Sequence, residues 1–419
     1  MKTNNIKLPS LKPEMANLDN QTPFAYFNNK EMNVVRLEFM FGNASKVHQN
    51  KPFVAMTANA MLTEGTENFT AFQIAEAFDY FGAFIERVAN AESSSIVFYF
   101  LKKHAQRIIP YIEETILRPN FPENELNIAN ERHKQQQQIN EQKTGFIASN
   151  KFYKSIFPSH PYGLVGTAQD FDLLNQNDIS TFYDDFMAQQ NALTIIASGN
   201  IDDSFIALVN RSIGSSPRKQ KTMQQTIEIP QYIPQTELLK VNMAAANQVS
   251  LRLGKQTVSY NSEEYLPLKV LNCVFGGYFG SRLMSNIREQ KGLSYGINSS
   301  LFTYSNVGVI SVSADVKASE YELAIKEIMK EMKALQSEKV ESDELNRVKN
   351  YLKGEILRSL DGSFDLGERY GYLISRGIST DYFSNYLDVV NSITAEDLQH
   401  LASTYLTPES FTCVAVGKV

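Results

Sequence analysis

The sequence predicts an α+β protein made of two related halves, each a sheet packed with helices. Three observations carry this. Strand-like runs and amphipathic helices alternate irregularly, without the strict βαβ order of a doubly wound sheet. A helix–strand–glycine unit occurs twice: DISTFYDDFM then ALTIIASGNI, from Asp178 and Ala192, and DLQHLASTYL then SFTCVAVGKV, from Asp397 and Ser410. The offset is 219 residues for the helices and 218 for the strands, about half of the 419-residue chain, which points to a duplicated domain. Between the halves, 215–235 gathers prolines with Lys, Gln and Ser, the composition of a linker. The domains read as 1–214 and 236–419.

In the first half, NVVRLEFMFG is a strand, with Val35, Leu37 and Phe39 alternating against Arg36 and Glu38. Thr70 to Gln73 has the form of a capping box. It opens a helix with Ile74, Phe78 and Phe81 on one face and Gly82 at its end. SSSIVFYFLKK is a second strand, and helices follow at 105–117 and 123–142. In the second half, NQVSLRLG and NVGVISVSADV are strands, and helices span 264–275, 320–335 and 341–359.

Composition narrows the function. A net charge of −6 argues against nucleic acid or an anionic membrane as the main partner. No apolar run is long enough to span a bilayer, and the N-terminal residues lack the apolar core of a signal peptide. The expected compartment is the cytoplasm, or the periplasm if a leader has been removed. Cys273 and Cys413 sit in apolar surroundings and read as buried free thiols. The five histidines are scattered singly, so no metal site is expected in this chain. GGYFGSRL, Gly276 to Leu283, lacks the forms of a phosphate loop and follows a helix, so its glycines read as close helix–helix packing.

The stretch from Phe275, FGGYFGSRLMSNIREQKGLSYGI, resembles the C-terminal-domain signature of the pitrilysin family of inverzincin metallopeptidases, in its processing-peptidase-like branch. HPYG at His160–Gly163 and the duplicated halves extend the resemblance over nearly the whole chain. Members of that family bind zinc through HxxEH on a first-half helix, with a glutamate further along as third ligand. The matching segment here is FVAMTANAMLTEGT. Met56 and Ala60 stand at the histidine positions and Asn59 at the catalytic glutamate. The third ligand falls within Gln135–Gln138, at Gln136 or Gln137, of which Gln137 is taken. A thioether, a methyl and two uncharged amides cannot perform that chemistry.

The resemblance also implies what is retained. In the family, an arginine and a tyrosine seven residues apart line the substrate, and Arg288 and Tyr295 match them. Lys291-Gly292 should end the helix after Gln290, placing Tyr295 on the following strand with Leu293 and Ile297. Without the resemblance, Arg288 would read as a helix C-terminal cation and Tyr295 as a half-buried strand aromatic. Arg282 reads as a brace at the helix start.

Together these residues imply a non-catalytic, substrate-orienting subunit of a heterodimeric zinc endopeptidase acting on peptides or unfolded segments. Its partner would be a homologous HxxEH chain carrying the zinc, and this chain would need no cofactor. The alternative is a structural or peptide-binding member of the same family. An independent enzyme with other chemistry has no nucleophile–base pair to support it.

Overall fold

A computed structural model describes residues 7–42, 44–188, 193–217, 228–235 and 237–419. The central part of the expected linker, 218–227, and Ala192 lie outside them. The chain divides into two compact units.

Unit 1 comprises Met1–Gln138, Gly166–Thr226 and Ser359–Thr380. Its strands are β1 (Glu14–Asn17), β2 (Pro23–Asn28), β3 (Val34–Phe41), β4 (Phe84–Ala89), β5 (Ser94–Leu101) and β6 (Leu193–Gly199). They form one sheet in the order β1-β2-β6-β3-β5-β4, antiparallel except for the β2–β6 pair. One face carries Val35, Leu37, Phe39, Phe98 and Ile195, fully buried in a core shared with Val54 and Ala58 of the Val54–Met61 helix and Ile108, Ile109 and Ile112 of the Ala105–Leu117 helix. The Thr70 capping box forms, and Gly82 follows the helix end with φ +60°.

The opposite face is not the solvated one that Arg36 and Glu38 suggest. Both are buried as an ion pair with a 2.9 Å N–O separation, and Arg36 Nε donates to the Tyr99 hydroxyl at 3.2 Å. Burial works to lower the Arg36 pKa, but the Glu38 carboxylate and the Tyr99 hydroxyl together outweigh it and raise the value. This face is covered by the Ser363–Ile374 helix, a segment from late in the chain that packs on β2 and β6. Its glycines permit the approach. A Cβ on Gly367 would stand 2.2 Å from Ser198 Oγ, and one on Gly371 3.0 Å from Ile196 Cδ1. Gly367→Leu should therefore destabilise the protein by about 1–3 kcal/mol through overpacking against the fully buried Ser198. Urea denaturation checks this, and an unchanged midpoint would show that the helix does not pack there.

Unit 2 comprises Ile139–Val165, Ile227–Arg358 and Asp381–Val419. Its strands are β7 (Leu239–Asn242), β8 (Gln248–Thr257), β9 (Ser294–Thr303), β10 (Gly308–Lys317) and β11 (Thr412–Gly417), in the order β7-β11-β8-β10-β9. The Thr144–Ile156 helix, from the first half of the sequence, packs on β8 and β11. Polar side chains fasten it: Thr144 Oγ1 lies 2.8 Å from Ser250 Oγ, and Arg252 Nε donates to Ser149 Oγ at 3.1 Å. The HPYG motif is a tight turn after this helix, in which Tyr162 N–H donates to His160 Nδ1 at 3.1 Å. Gly163 is required because a Cβ there would stand 2.2 Å from the Phe157 carbonyl oxygen.

The repeat seen in the sequence has structural content. Both its helices open with capping boxes, Asn175 with Asp178 and Thr394 with Asp397. Both its strands, β6 and β11, lie between a parallel neighbour, β2 or β7, and an antiparallel one, β3 or β8. Both end in a positive-φ glycine, Gly199 (φ +112°) and Gly417 (φ +148°). A Cβ on either would collide with a neighbouring backbone carbonyl, Val34 O at 2.3 Å or Gln248 O at 2.4 Å.

Cys273 and Cys413 are free and buried, and burial pushes their thiols up to about 12 and about 11. Among the described residues no helix is long and apolar enough to cross a membrane.

Candidate functional site

In unit 1, the Val54–Met61 helix holds the three positions expected to have lost zinc chemistry. Asn59 is 1% exposed and its amide is committed. Nδ2 donates to the Val88 carbonyl of β4 at 2.9 Å and to the Ser95 carbonyl of β5 at 3.1 Å. Asn59, expected at the catalytic-glutamate position, is thus a bracket fastening β4 and β5 to the helix. Unit 2 repeats the device. Asn272, at the end of the Tyr265–Asn272 helix, donates from Nδ2 to the Ser299 carbonyl of the edge strand β9 at 3.2 Å. The two asparagines are 213 residues apart, close to the repeat offset, which is the sequence signal that could have exposed the shared role.

Met56 packs against the unit 1 core, and Ala60 offers only a methyl group. Within the glutamine run, Gln135, Gln136 and Gln138 are exposed, as a solvated face should be. Gln137 is not: it is buried, and its Nε2 donates to the Gly166 carbonyl at 3.1 Å. The neighbouring His133 joins an aromatic column, 5.7 Å from the Phe171 ring, which stacks on Phe53 at 4.3 Å. Burial, aided by Arg132, holds its pKa below the usual histidine value. No group of three or more His, Cys, Asp or Glu able to hold a metal occurs among the described residues. These side chains do not fit a zinc ion, because the amides are spent on backbone carbonyls and nothing replaces the imidazoles.

In unit 2, the REQKGLSYG stretch is a helix end followed by a strand. The helical segment Met284–Gln290 closes with Gly292 in the left-handed region at φ +62°. Leu293 N–H donates back to Ile287 O at 2.9 Å, and Gly292 N–H to Arg288 O at 3.2 Å. This left-handed glycine cap, of the αL type, turns the chain out of the helix, and β9 begins at Ser294. Leu293 and Ile297 are buried, whereas Tyr295 is 89% exposed. Tyr295 is therefore not a half-buried strand aromatic. The register of β9 on β10 shifts between Ala314 and Val316, next to this point.

Arg288 and Tyr295 line one cavity of about 290 Å³, together with Gln248, Leu293, Asp315 and Lys317. Sequence reasoning gave the first two but not Gln248, Asp315 and Lys317, which arrive from β8 and β10 through sheet pairing. Asp315 is held by Ser250 Oγ, which donates to its Oδ1 at 2.5 Å. Arg282 forms a two-pronged pair with Glu344, both N–O distances 2.9 Å, in the first turn of the Ser342–Arg358 helix. It braces that helix and is not among the residues lining the cavity. The glycines of GGYFGSRL also differ from expectation. A Cβ on Gly276 would stand 2.6 Å from Ser299 Cβ, so the close approach is between a helix end and the strand β9, not between two helices.

Unit 1 thus carries uncharged side chains at the expected metal positions, and unit 2, taken by itself, carries an exposed guanidinium and phenol. Residues 174–352 match the family described as the peptidase M16 inactive domain. A Bacillus subtilis protein described as the uncharacterized zinc protease YmxG is 26% identical over 336 residues, 79% of this chain and 81% of its own length. A Helicobacter pylori protein described as the non-peptidase homolog YmxG is 21% identical over 395 residues, covering 92% and 89%. The solved peptidase M16 inactive domain from Pseudomonas fluorescens has the same fold, with TM-score 0.85 at 20% identity over 97% of this chain and 98% of that one.

Proposed function

We propose that this chain, a relative of the pitrilysin-type (M16) metallopeptidases without their zinc motif, is the substrate-orienting subunit of a two-chain zinc endopeptidase. The observation that carries the reading is the contrast between its two units. The residues at the metal positions have been reassigned to packing and backbone hydrogen bonds, while Arg288 and Tyr295 keep their polar groups on one open cavity.

The chemistry available to the pair is donation. A guanidinium and a phenol both carry hydrogen-bond donors, and a peptide carbonyl that gains negative charge during cleavage needs them. Edge strand β9 supplies alignment. Among the described residues it pairs in the sheet with β10 alone, and Tyr295 stands at its start. A peptide added along β9 as a further strand would run past Tyr295 and Arg288. The metal and the water-activating base would belong to a homologous chain with an intact HxxEH motif.

Co-expression with such a homologue tests the assembly. The two chains should co-purify, and the mixture should cleave a quenched-fluorescent peptide library that neither chain cleaves alone. A homologue that turns over the library equally well by itself would leave this chain no orienting role.

A further inference from the structure

We infer that Phe279 is a positioning residue for Arg288, a platform that fixes the guanidinium while leaving its donors available. The stretch from Gly276 to Gly296 holds three cations. Two are neutralised by carboxylates: Arg282 by Glu344, and Lys291 by Glu327 at 3.1 Å. Arg288 takes a different partner. Its Cζ lies 5.0 Å from the centroid of the Phe279 ring, and among the described residues it has no carboxylate within ion-pair distance.

The choice of partner decides what the cation can do. A carboxylate binds a guanidinium through its in-plane N–H groups, and a two-pronged pair uses two of the five. An aromatic face attracts the cation through the ring quadrupole and consumes none. Arg288 is thereby held and still has donors for a ligand. Phe279 itself is 61% exposed, so burial does not explain a phenylalanine there. Gly280 follows, and a Cβ on it would stand 2.9 Å from the Tyr278 ring, so the loop that presents Phe279 is tightly folded.

This inference rests on the reading of Arg288 as a peptide contact, and the test separates the two. In protein with labelled arginine side chains, the Arg288 resonances should carry an upfield ring-current shift that Phe279→Leu abolishes and Phe279→Tyr retains. Affinity for a fluorescein-labelled, reduced and carboxymethylated α-lactalbumin probe should fall about two- to five-fold in Phe279→Leu, the size expected of an exposed cation–π contact. Phe279→Tyr should bind as the wild type does. In an Arg288→Ala background Phe279→Leu should have no further effect, which a general structural role would not produce. Absence of the ring-current shift, or an undiminished Phe279→Leu effect without Arg288, overturns the platform. A shift that is present while Arg288→Ala binds the probe normally overturns the peptide-contact reading and leaves Phe279 without a ligand-positioning role.

Discussion

Arg288→Ala and Tyr295→Phe should each lower kcat of the reconstituted two-chain peptidase by about 10²–10³, roughly 3–4 kcal/mol, if each removes one donor to a developing oxyanion. KM should move much less, because an interaction gained only in the transition state leaves ground-state binding nearly unchanged. Assembly and folding should survive. Both side chains are exposed, and Tyr295→Phe deletes one hydroxyl from a ring that is 89% accessible. Because both donors would serve one carbonyl, the double variant should fall short of the product of the single effects. Turnover at saturating peptide is the measurement. Wild-type rates from normally assembled variants would remove the pair from catalysis and leave the structural-subunit reading.

Rebuilding the zinc motif should destabilise unit 1 rather than awaken it. In the triple variant Met56→His, Asn59→Glu and Ala60→His, the glutamate replaces a donor with an acceptor at a position 1% exposed to solvent. Two carbonyls, Val88 O and Ser95 O, lose their partner and face a carboxylate instead. An uncompensated buried charge of this kind costs about 3–5 kcal/mol. That corresponds to a fall in Tm on the order of 10 °C for a unit of this size. Asn59→Glu alone should account for most of it. The third ligand would still be missing, since Gln137 is tied to Gly166 O, and the new imidazoles would lack partners to orient them. Thermal melts, zinc content and peptide cleavage with and without chelator check this. A triple variant that melts with the wild type and gains chelator-sensitive cleavage would show the site to be intact beneath its substitutions.

Much of the fold was legible because local signals agreed with the tertiary outcome. The alternation in β3 follows a core face, the Thr70 box caps its helix, and Lys291-Gly292 ends the helix after Gln290. What escaped reading was set by partners distant in sequence. Arg36 and Glu38 look like a solvent face until the Ser363–Ile374 helix covers them, and nothing within β3 announces it. Gln137 is singled out by the resemblance alone; within the run it has nothing to distinguish it, yet helical phase turns it inward to a loop carbonyl while its neighbours face water. At the site, Arg288 and Tyr295 were found through a motif. The exposure of Tyr295 depends on where the glycine cap lets β9 begin and on the adjacent register shift, and strict alternation with Leu293 and Ile297 misses that.

The traded helices give the chain an unusual relation to its own midpoint. A protease nick or a gene fission within 218–227 falls where composition invites it, yet neither product would contain all the layers of its sheet. The first would lack the Ser363–Ile374 helix, exposing Ile196 and Ser198 and stranding Phe27 without the Tyr370 ring that meets it at 5.8 Å. The second would lack the Thr144–Ile156 helix, leaving the Arg252 guanidinium without Ser149. Such fragments are complements rather than modules, since each holds a helix that the other's sheet packs against. Each compact unit draws a helix from the other half of the sequence, so the midpoint of the chain is not a boundary between two self-sufficient sheets.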